Sequence, residues 1–380
     1  MWMMIFLLLP LLGIAYIAWH VWCLLPCAWW WKLLAIALLT GSFLTMMFGM
    51  RGLYDSTPLP VGTALYEIGT SSVFIMMYLV ILFLILDLGR LIRLIPRTLL
   101  YNNWWTVLGI TIVMIAIFVY GNLHYQHKYR QELTLTTSKH LARPMKLVMV
   151  SDLHIGYHNP RKELHRWIDM INAEKPDLVL IAGDIIDMSM RPLKEERMAE
   201  EFRRLTAPLY TCLGNHEYYS GEPDAQQFYH DAGIHLLRDS AAAVGDLCII
   251  GRDDRTNMHR KSLGRIVKEN ELLISHSSFL ILLDHQPYHL EQAERHHVDF
   301  QFSGHTHHGQ VWPISWITES IYECAFGSHQ RGNTRYYISS GLGIWGGKFR
   351  IGTRSEYVVA EVGTPSRPSQ GKEDDVKCER

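Results

Sequence analysis

At 380 residues the chain has room for one large domain or two modest ones, at roughly 100–200 residues per domain. Its 36 Lys and Arg balance 37 Asp and Glu for a formal net charge of −1; that balance lacks the basic excess of a nucleic-acid binder, so no nucleic-acid partner is expected. The average hides a split: up to about Gly121, Leu, Ile, Met, Phe and Trp dominate with few charges, and beyond it charges and histidines appear throughout.

Four apolar stretches open the chain: Met1–Trp19, Leu33–Met50, Val73–Ile92 and Trp104–Tyr120. Each is close to the roughly 20 residues that cross a hydrocarbon layer of about 30 Å. Met1–Trp19 has no basic start and further spans follow it, which is not the pattern of a secretory signal peptide. Four such stretches in succession, with almost no polar face, do not fit buried helices of a globular core either. Trp19, Trp22, Trp29, Trp30, Trp31, Trp104 and Trp105 cluster at the ends of the stretches, as rings do at headgroup depth. Residues 1–121 therefore read as a transmembrane region of about four helices, with the lipid bilayer as a partner.

Positive charge gives a near tie on orientation. Arg90, Arg93 and Arg97 place the loop before the last span in the cytoplasm and the C-terminal domain outside, while Lys128, Arg130 and Lys139 pull the other way. Lys32 and Arg51 cancel. Asp87, the one acidic residue within a span, is expected to pair with Arg90 at the interface. Cys23 and Cys27 lie in or beside an apolar segment, and Cys212, Cys248, Cys324 and Cys378 are scattered without metal or disulfide spacing. Cys23-x-x-x-Cys27 could be half a zinc site, but no second half follows, and the two read as small apolar residues in a membrane. Residues 122–144 are polar and read as a linker that could begin with a strand.

From Lys146 onward, short apolar runs each end abruptly in polar residues. Leu147–Val150 leads into Ser151-Asp152-Leu153-His154, Leu178–Ala182 into Gly183-Asp184-Ile185-Ile186-Asp187, and Leu209–Leu213 into Gly214-Asn215-His216-Glu217. Leu280–Leu283 leads into Asp284-His285-Gln286-Pro287, and Phe300–Phe302 into Gly304-His305-Thr306-His307-His308-Gly309-Gln310. Such runs fit strands covered on both faces. Between the first two, Leu164, Trp167, Ile168 and Ile171 recur at helical spacing within Arg161–Glu174, so an α/β layered domain is expected. In such sheets ligands gather beyond the carboxyl ends of the strands. Any one of these clusters alone is an ordinary turn; five of them, each carrying Asp, Asn or His at a strand end, are not.

Mixed nitrogen and oxygen donors suit Mn, Fe or Zn better than Mg or Ca, and the lack of thiolates argues against a structural zinc site. Two divalent transition-metal ions about 3.5–4 Å apart clamp a phosphate and lower the pKa of a bound water. A carboxylate between them offsets their repulsion.

Asp152-x-His154, Gly183-Asp184-x-x-Asp187, Gly214-Asn215-His216-Glu217, His285 and Gly304-His305-x-His307 together resemble the calcineurin-like metallophosphoesterase motifs, in order and at compatible spacing. The resemblance covers roughly Lys146 to Val362. The Gly-His-Thr-His-x-Gly-Gln form, Gly341-Leu342-Gly343 and the stretch Arg350–Glu356 are similar to the bacterial YkuE/YaeI-like, membrane-anchored branch. The resemblance implies a four-layer α-β-β-α sandwich over residues 145–363, preceded by the all-α transmembrane region. It implies that Asp152, His154 and His307 hold one metal, that Asn215, His285 and His305 hold a second, and that Asp184 bridges them. His216 would protonate the leaving group or steady the transition state, and a hydroxide bridging the metals would attack phosphorus. Asp187 is expected to orient a ligand, and His308, at a position commonly Gly in this branch, to be a partly exposed loop residue.

The family includes phosphomonoesterases, phosphodiesterases and pyrophosphatases, so fold does not choose a substrate. Tethering near a bilayer suggests a phospholipid, a lipid-linked nucleotide or another cell-envelope phosphoester. Trp312 and Trp316 are candidates for an apolar rim, and Trp345 for core packing. The competing class is a membrane sensor or scaffold that keeps the fold without turnover; the complete ligand set weighs against it. The expected location is the bacterial inner (plasma) membrane, multi-pass, with the catalytic domain extracytoplasmic because relatives in this branch include exported enzymes. The Pro-, Ser- and charge-rich tail 364–380 is expected to be disordered.

Overall fold

A computed structural model describes residues 2–49, 52–139, 141–277, 279–363 and Cys378. The tail expected to be disordered lies, Cys378 apart, outside the described residues. The chain forms two units, one of Met1–Leu123 with Gly346–Phe349, the other of His124–Trp345 with Arg350–Arg380.

The first unit is helical: α1 (Trp2–Leu24), α2 (Trp29–Gly49), α3 (Leu59–Leu91) and the start of α4 (Trp104–Gln126). Helices α2, α3 and α4 are each long and apolar enough to cross a membrane, and the described apolar part of α1 is the shorter Leu9–Leu24. Helix α3 begins 14 residues before the expected span at Val73, at Leu59. The sequence pattern hid this first half because Gly62, Glu67, Gly69, Thr70 and Ser72 interrupt its apolar run. One of these small residues is where helices meet: a methyl on Gly69 would come within 2.7 Å of the Met46 backbone nitrogen on α2, the close approach that small residues permit between helices in lipid. Asp87 accepts a hydrogen bond from Tyr16 Oη at 2.7 Å and pairs with His20 Nε2 at 3.1 Å, rather than with Arg90 as expected. Tyr16 and His20 stand one turn apart on α1 and so meet the same carboxylate from α3, which a residue on Asp87's own helix need not then satisfy.

The second unit contains twelve strands among the described residues, β1 (Lys128–Thr136), β2 (Met145–Val150), β3 (Leu178–Ala182), β4 (Leu209–Cys212), β5 (His235–Leu236), β6 (Ser240–Val244), β7 (Leu247–Gly251), β8 (Phe279–Leu283), β9 (Phe300–Ser303), β10 (Gly327–Arg331), β11 (Thr334–Ile338) and β12 (Ser355–Gly363). They make two six-stranded sheets, ordered β1-β12-β2-β3-β4-β5 and β10-β11-β9-β8-β7-β6. The stretch read as a linker from Asn122 is largely ordered secondary structure. Within it β1 pairs in parallel with β12 and turns Leu133 and Leu135 inward while Glu132, Thr134 and Thr136 stay exposed, the period-2 pattern of an edge strand with one buried face.

Strands β2, β3 and β4 are parallel neighbours, and alternation divides their side chains between two cores. Leu147, Met149, Leu178 and Leu180 join Ile249, Ile281, Leu283, Phe300 and Phe302 in the core between the sheets. Val148, Val150, Val179 and Ile181 face the other way, against Leu164, Trp167, Ile168 and Ile171 of the helix α5 (Arg161–Ala173). On the far side, Ile250, Leu280 and Leu282 pack with Leu263 and Ile266 of the helix Leu263–Glu269. The layers therefore run α-β-β-α, as expected. Burial on both faces is why these strands read as unbroken apolar runs. It also leaves the strand ends as the place where polar groups of both sheets converge.

Candidate metal centre

The donors come from strand ends of both sheets. Past β2, the amides of Asp152 and His154 donate to the carbonyls of Gly183 (3.2 Å) and Asp184 (3.0 Å), so the loops after β2 and β3 are zipped together. Asp152, His154, Asp184, His305 and His307 all have left-handed backbone, with φ of 54°, 46°, 51°, 71° and 47°. Non-glycine residues seldom adopt this conformation, and its clustering is characteristic of functional sites where the surrounding structure holds the strain. His308, at φ 50°, shares it. Its side chain is half-buried, 2.9 Å from Glu319 and stacked on Phe326.

The aspartates and histidines predicted for the site converge. Donor atoms of Asp152, His154 and His307 lie within 4.8 Å of one another, as do those of Asp184, His285 and His305, and those of His154, Asp184 and His216. Asp184 links the groups. Its Oδ2 stands 3.0 Å from His285 Nε2 and 3.8 Å from His154 Nε2, while its Oδ1 accepts the His216 amide at 2.9 Å. The Nε2 atoms of His154 and His307 face each other at 3.1 Å. Asp152 accepts the His305 amide at 3.0 Å, tying the end of the first sheet to the end of the second. His285 Nδ1 donates to the Ala182 carbonyl at 2.7 Å, which fixes the tautomer and leaves Nε2 as the donor. Asn215 Oδ1 is buried with no hydrogen-bond partner. Converging imidazole nitrogens, two carboxylates, an orphaned amide oxygen and no thiolate are a set that fits divalent transition cations.

Electrostatics separates the histidines. Burial disfavours the His305 cation and the charge of His285 adds to this, pushing it down to about 3. Burial, then His154 and Arg350, hold His307 well below the ordinary range. Burial acts the same way on His216, but Asp184 and Asp187 outweigh it and lift the ring to about 9. Asp187 Oδ1 stands 3.2 Å from His216 Nδ1 and 3.4 Å from His154 Nδ1, a position from which it orients both rings.

Two positioning residues carried no role in the sequence reading. Glu217, fully buried, accepts backbone N–H groups from Gly214 (2.7 Å), Ile186 (3.0 Å) and Asp184 (3.1 Å). It thereby fastens the loops after β3 and β4 to each other. Its place three residues after Gly214 is the signal that could have found it, since Glu at the third position of a helix reaches back to free amides. Arg350, also fully buried, donates to the carbonyls of His307 (2.6 Å), Gly343 (3.2 Å) and Ser340, so a guanidinium fork holds the histidine loop against the Gly341–Gly343 turn. Glycines set the remaining clearances: a methyl on Gly304 would lie 2.3 Å from Asp152 Oδ2, and one on Gly214 2.1 Å from Asp184 Oδ1.

Residues 145–309 match the family described as calcineurin-like phosphoesterase. An uncharacterized metallophosphoesterase of Campylobacter jejuni is 26% identical over 260 residues, covering 67% of this chain and 70% of that protein. One of Helicobacter pylori is 28% identical over 218 residues, 57% of this chain, and the match spans only 59% of that protein's length. A Danio rerio transmembrane protein with metallophosphoesterase domain is 27% identical over 345 residues, 85% of this chain and 78% of that protein.

Proposed function

We propose that this chain, which carries a calcineurin-like metallophosphoesterase domain and is a metal-dependent phosphoester hydrolase, works at a membrane with two divalent cations. The observation that supports this most is the position of Asp184 Oδ2 between His285 and His154, at the centre of the donor groups. In this reading Asp152, His154 and His307 hold one cation, Asn215, His285 and His305 the other, and Asp184 bridges. Bound there, Mn, Fe or Zn would polarise the phosphate oxygens and supply a water nucleophile of lowered pKa. Asp184 and Asp187 favour the His216 cation, and with Nδ1 engaged by Asp187 the ring would present Nε2 as the acid for the leaving oxygen. Asp187 and Glu217 fix geometry and exchange no proton with substrate.

The membrane setting follows from three helices able to cross a bilayer and from the transmembrane relative. Beyond that, the domain organisation (spans within 1–121, catalytic domain 145–363), the bacterial inner membrane and an extracytoplasmic catalytic domain are part of the proposal. So is a lipid or cell-envelope phosphoester as substrate. Its support is an exposed apolar face that follows the last candidate ligands: Trp312, Trp316, Ile317 and Ile321 are 38%, 62%, 55% and 56% exposed. Exposed apolar groups gathered beside a polar site mark lipid or ligand contact.

The test is hydrolysis of bis(p-nitrophenyl) phosphate by the full-length protein with added Mn, Fe or Zn. Turnover that Asp184→Ala removes, with folding intact, is the expected result. Absence of turnover with all three metals would sink the hydrolase reading in favour of a sensor or scaffold. A reporter fused to the C-terminus reads the sidedness.

A further inference from the structure

The loop that follows β7 carries three arginines, and their partners differ. Arg252 and Arg260 both donate to Asp284, at 2.8 and 3.2 Å. The two acids of the loop are also engaged: Asp253 accepts from Arg238, Asn257 and Tyr218, and Asp254 from Gln286 and Thr256. Arg252 keeps its Nε buried without a partner, but Arg255 pairs with no acidic side chain at all among the described residues. Its Nη1 is buried with no hydrogen-bond partner, and its guanidinium lies 4.3 Å over the ring of Tyr288.

A chain of contacts connects that cation to the metal centre. Asp254, its chain neighbour, is held by Gln286, the residue after the candidate ligand His285. Tyr288, beneath the guanidinium, is three residues past His285; its ring meets that of Tyr322 at 4.7 Å, and Tyr322 meets the ring of His305 at 6.3 Å. An aromatic shelf therefore runs from one candidate ligand to a desolvated guanidinium nitrogen that has no partner. Leaving such a group unsatisfied is costly, and with an aromatic ring beneath it an anion is the partner that would satisfy it.

We propose that Arg255, set on Tyr288 and Tyr322, binds a second phosphoryl group of the substrate, so that the enzyme favours esters of di- over monophosphates. The geometry divides the labour: the donor groups around Asp184 take the scissile phosphoryl, and Arg255, two ring contacts further on, takes an anion that a simple monophosphate lacks. This rests on the hydrolase reading above and adds the substrate class to it.

The experiment is equilibrium binding of ADP and AMP, which differ by one phosphoryl group, to the full-length protein at constant free Mn. Wild type is expected to bind ADP about ten-fold more tightly than AMP, as a charge-assisted, partly desolvated contact supplies. Arg255→Gln removes that preference, and Arg255→Lys, which keeps the charge but not the planar stacking, restores only part of it. Equal binding of ADP and AMP by wild type, or an undiminished preference in Arg255→Gln, overturns the proposal. Turnover of bis(p-nitrophenyl) phosphate by wild type and its loss in Asp184→Ala are scored separately, so failure of the hydrolase reading is not confused with failure of this one.

Discussion

Asp184 Oδ2 and His285 Nε2 stand 3.0 Å apart in a fully buried setting. Burial alone would favour a neutral imidazole, but the charge of Asp184, backed by Asp152 and Asp254, holds His285 protonated well above the ordinary histidine range. A cation binding at this nitrogen must displace that proton. The sign follows: below the raised pKa the ring is charged and competes with metal, so affinity weakens as pH falls. Metal binding near pH 7 is expected to release a proton, and affinity to drop by up to about ten-fold per pH unit for each proton displaced. Titration calorimetry in two buffers of different ionisation heat checks this; a heat of binding independent of buffer would contradict it.

Gly304 leaves no room for a side chain where the two sheets meet at the site. A methyl there would lie 2.3 Å from Asp152 Oδ2, so Gly304→Ala has to push the carboxylate off its place. Because a misplacement of about 1 Å can cost about 100-fold in rate, the variant should lose at least that much activity and bind metal weakly. Its melting temperature should change far less than its activity, since the strand β9 before it keeps its packing. Metal content by mass spectrometry, measured beside activity, separates the two effects.

The five candidate ligand blocks stand out because chemistry and topology coincide there: each follows an apolar run that had to be a strand, and polar residues at strand ends of a doubly covered sheet have few structural reasons to be Asp, Asn or His. The outer strands were less legible. β6 is Ser-Ala-Ala-Ala-Val and β10 is Gly-Ser-His-Gln-Arg, edge sequences that carry no apolar run. The first half of α3 was lost for the related reason that helices packing through small residues do not look hydrophobic. Glu217 and Arg350 were invisible as positioning residues because their partners are backbone groups, and backbone leaves no trace in composition.

Arg350 turns that last point into a measurement. Its guanidinium satisfies three carbonyls of two separate loops, and burial pulls its pKa down to about 10, so the group remains a cation at neutral pH. Arg350→Met removes the charge and leaves buried carbonyls unpaired, at a cost of about 3 kcal/mol. For a domain of this size that is a fall of roughly 6–12 °C in melting temperature. Arg350→Lys should recover less than half, because an ammonium cannot reach all three carbonyls as the fork does. A melting temperature unchanged in Arg350→Met would show that the fork does not hold the histidine loop.

The exposed face of the helix Ile314–Ile321 supplies the test of the lipid reading. Trp312 and Trp316 meet edge to face at 5.3 Å, an arrangement that presents both rings outward together with Ile317 and Ile321. Burying one large apolar side chain is worth roughly 1.5–3 kcal/mol, so Trp316→Ser should lose about ten-fold or more on a phosphoester presented in vesicles. On a soluble diester, where no acyl region is available to cover the ring, the loss should be several-fold smaller. The comparison of kcat/KM on the two substrates, for wild type and variant side by side, isolates the lipid contribution from any general damage to the site. Equal losses on both would remove the support that this face gives to a lipid substrate and leave Trp316 as a residue that merely braces the loop after His307.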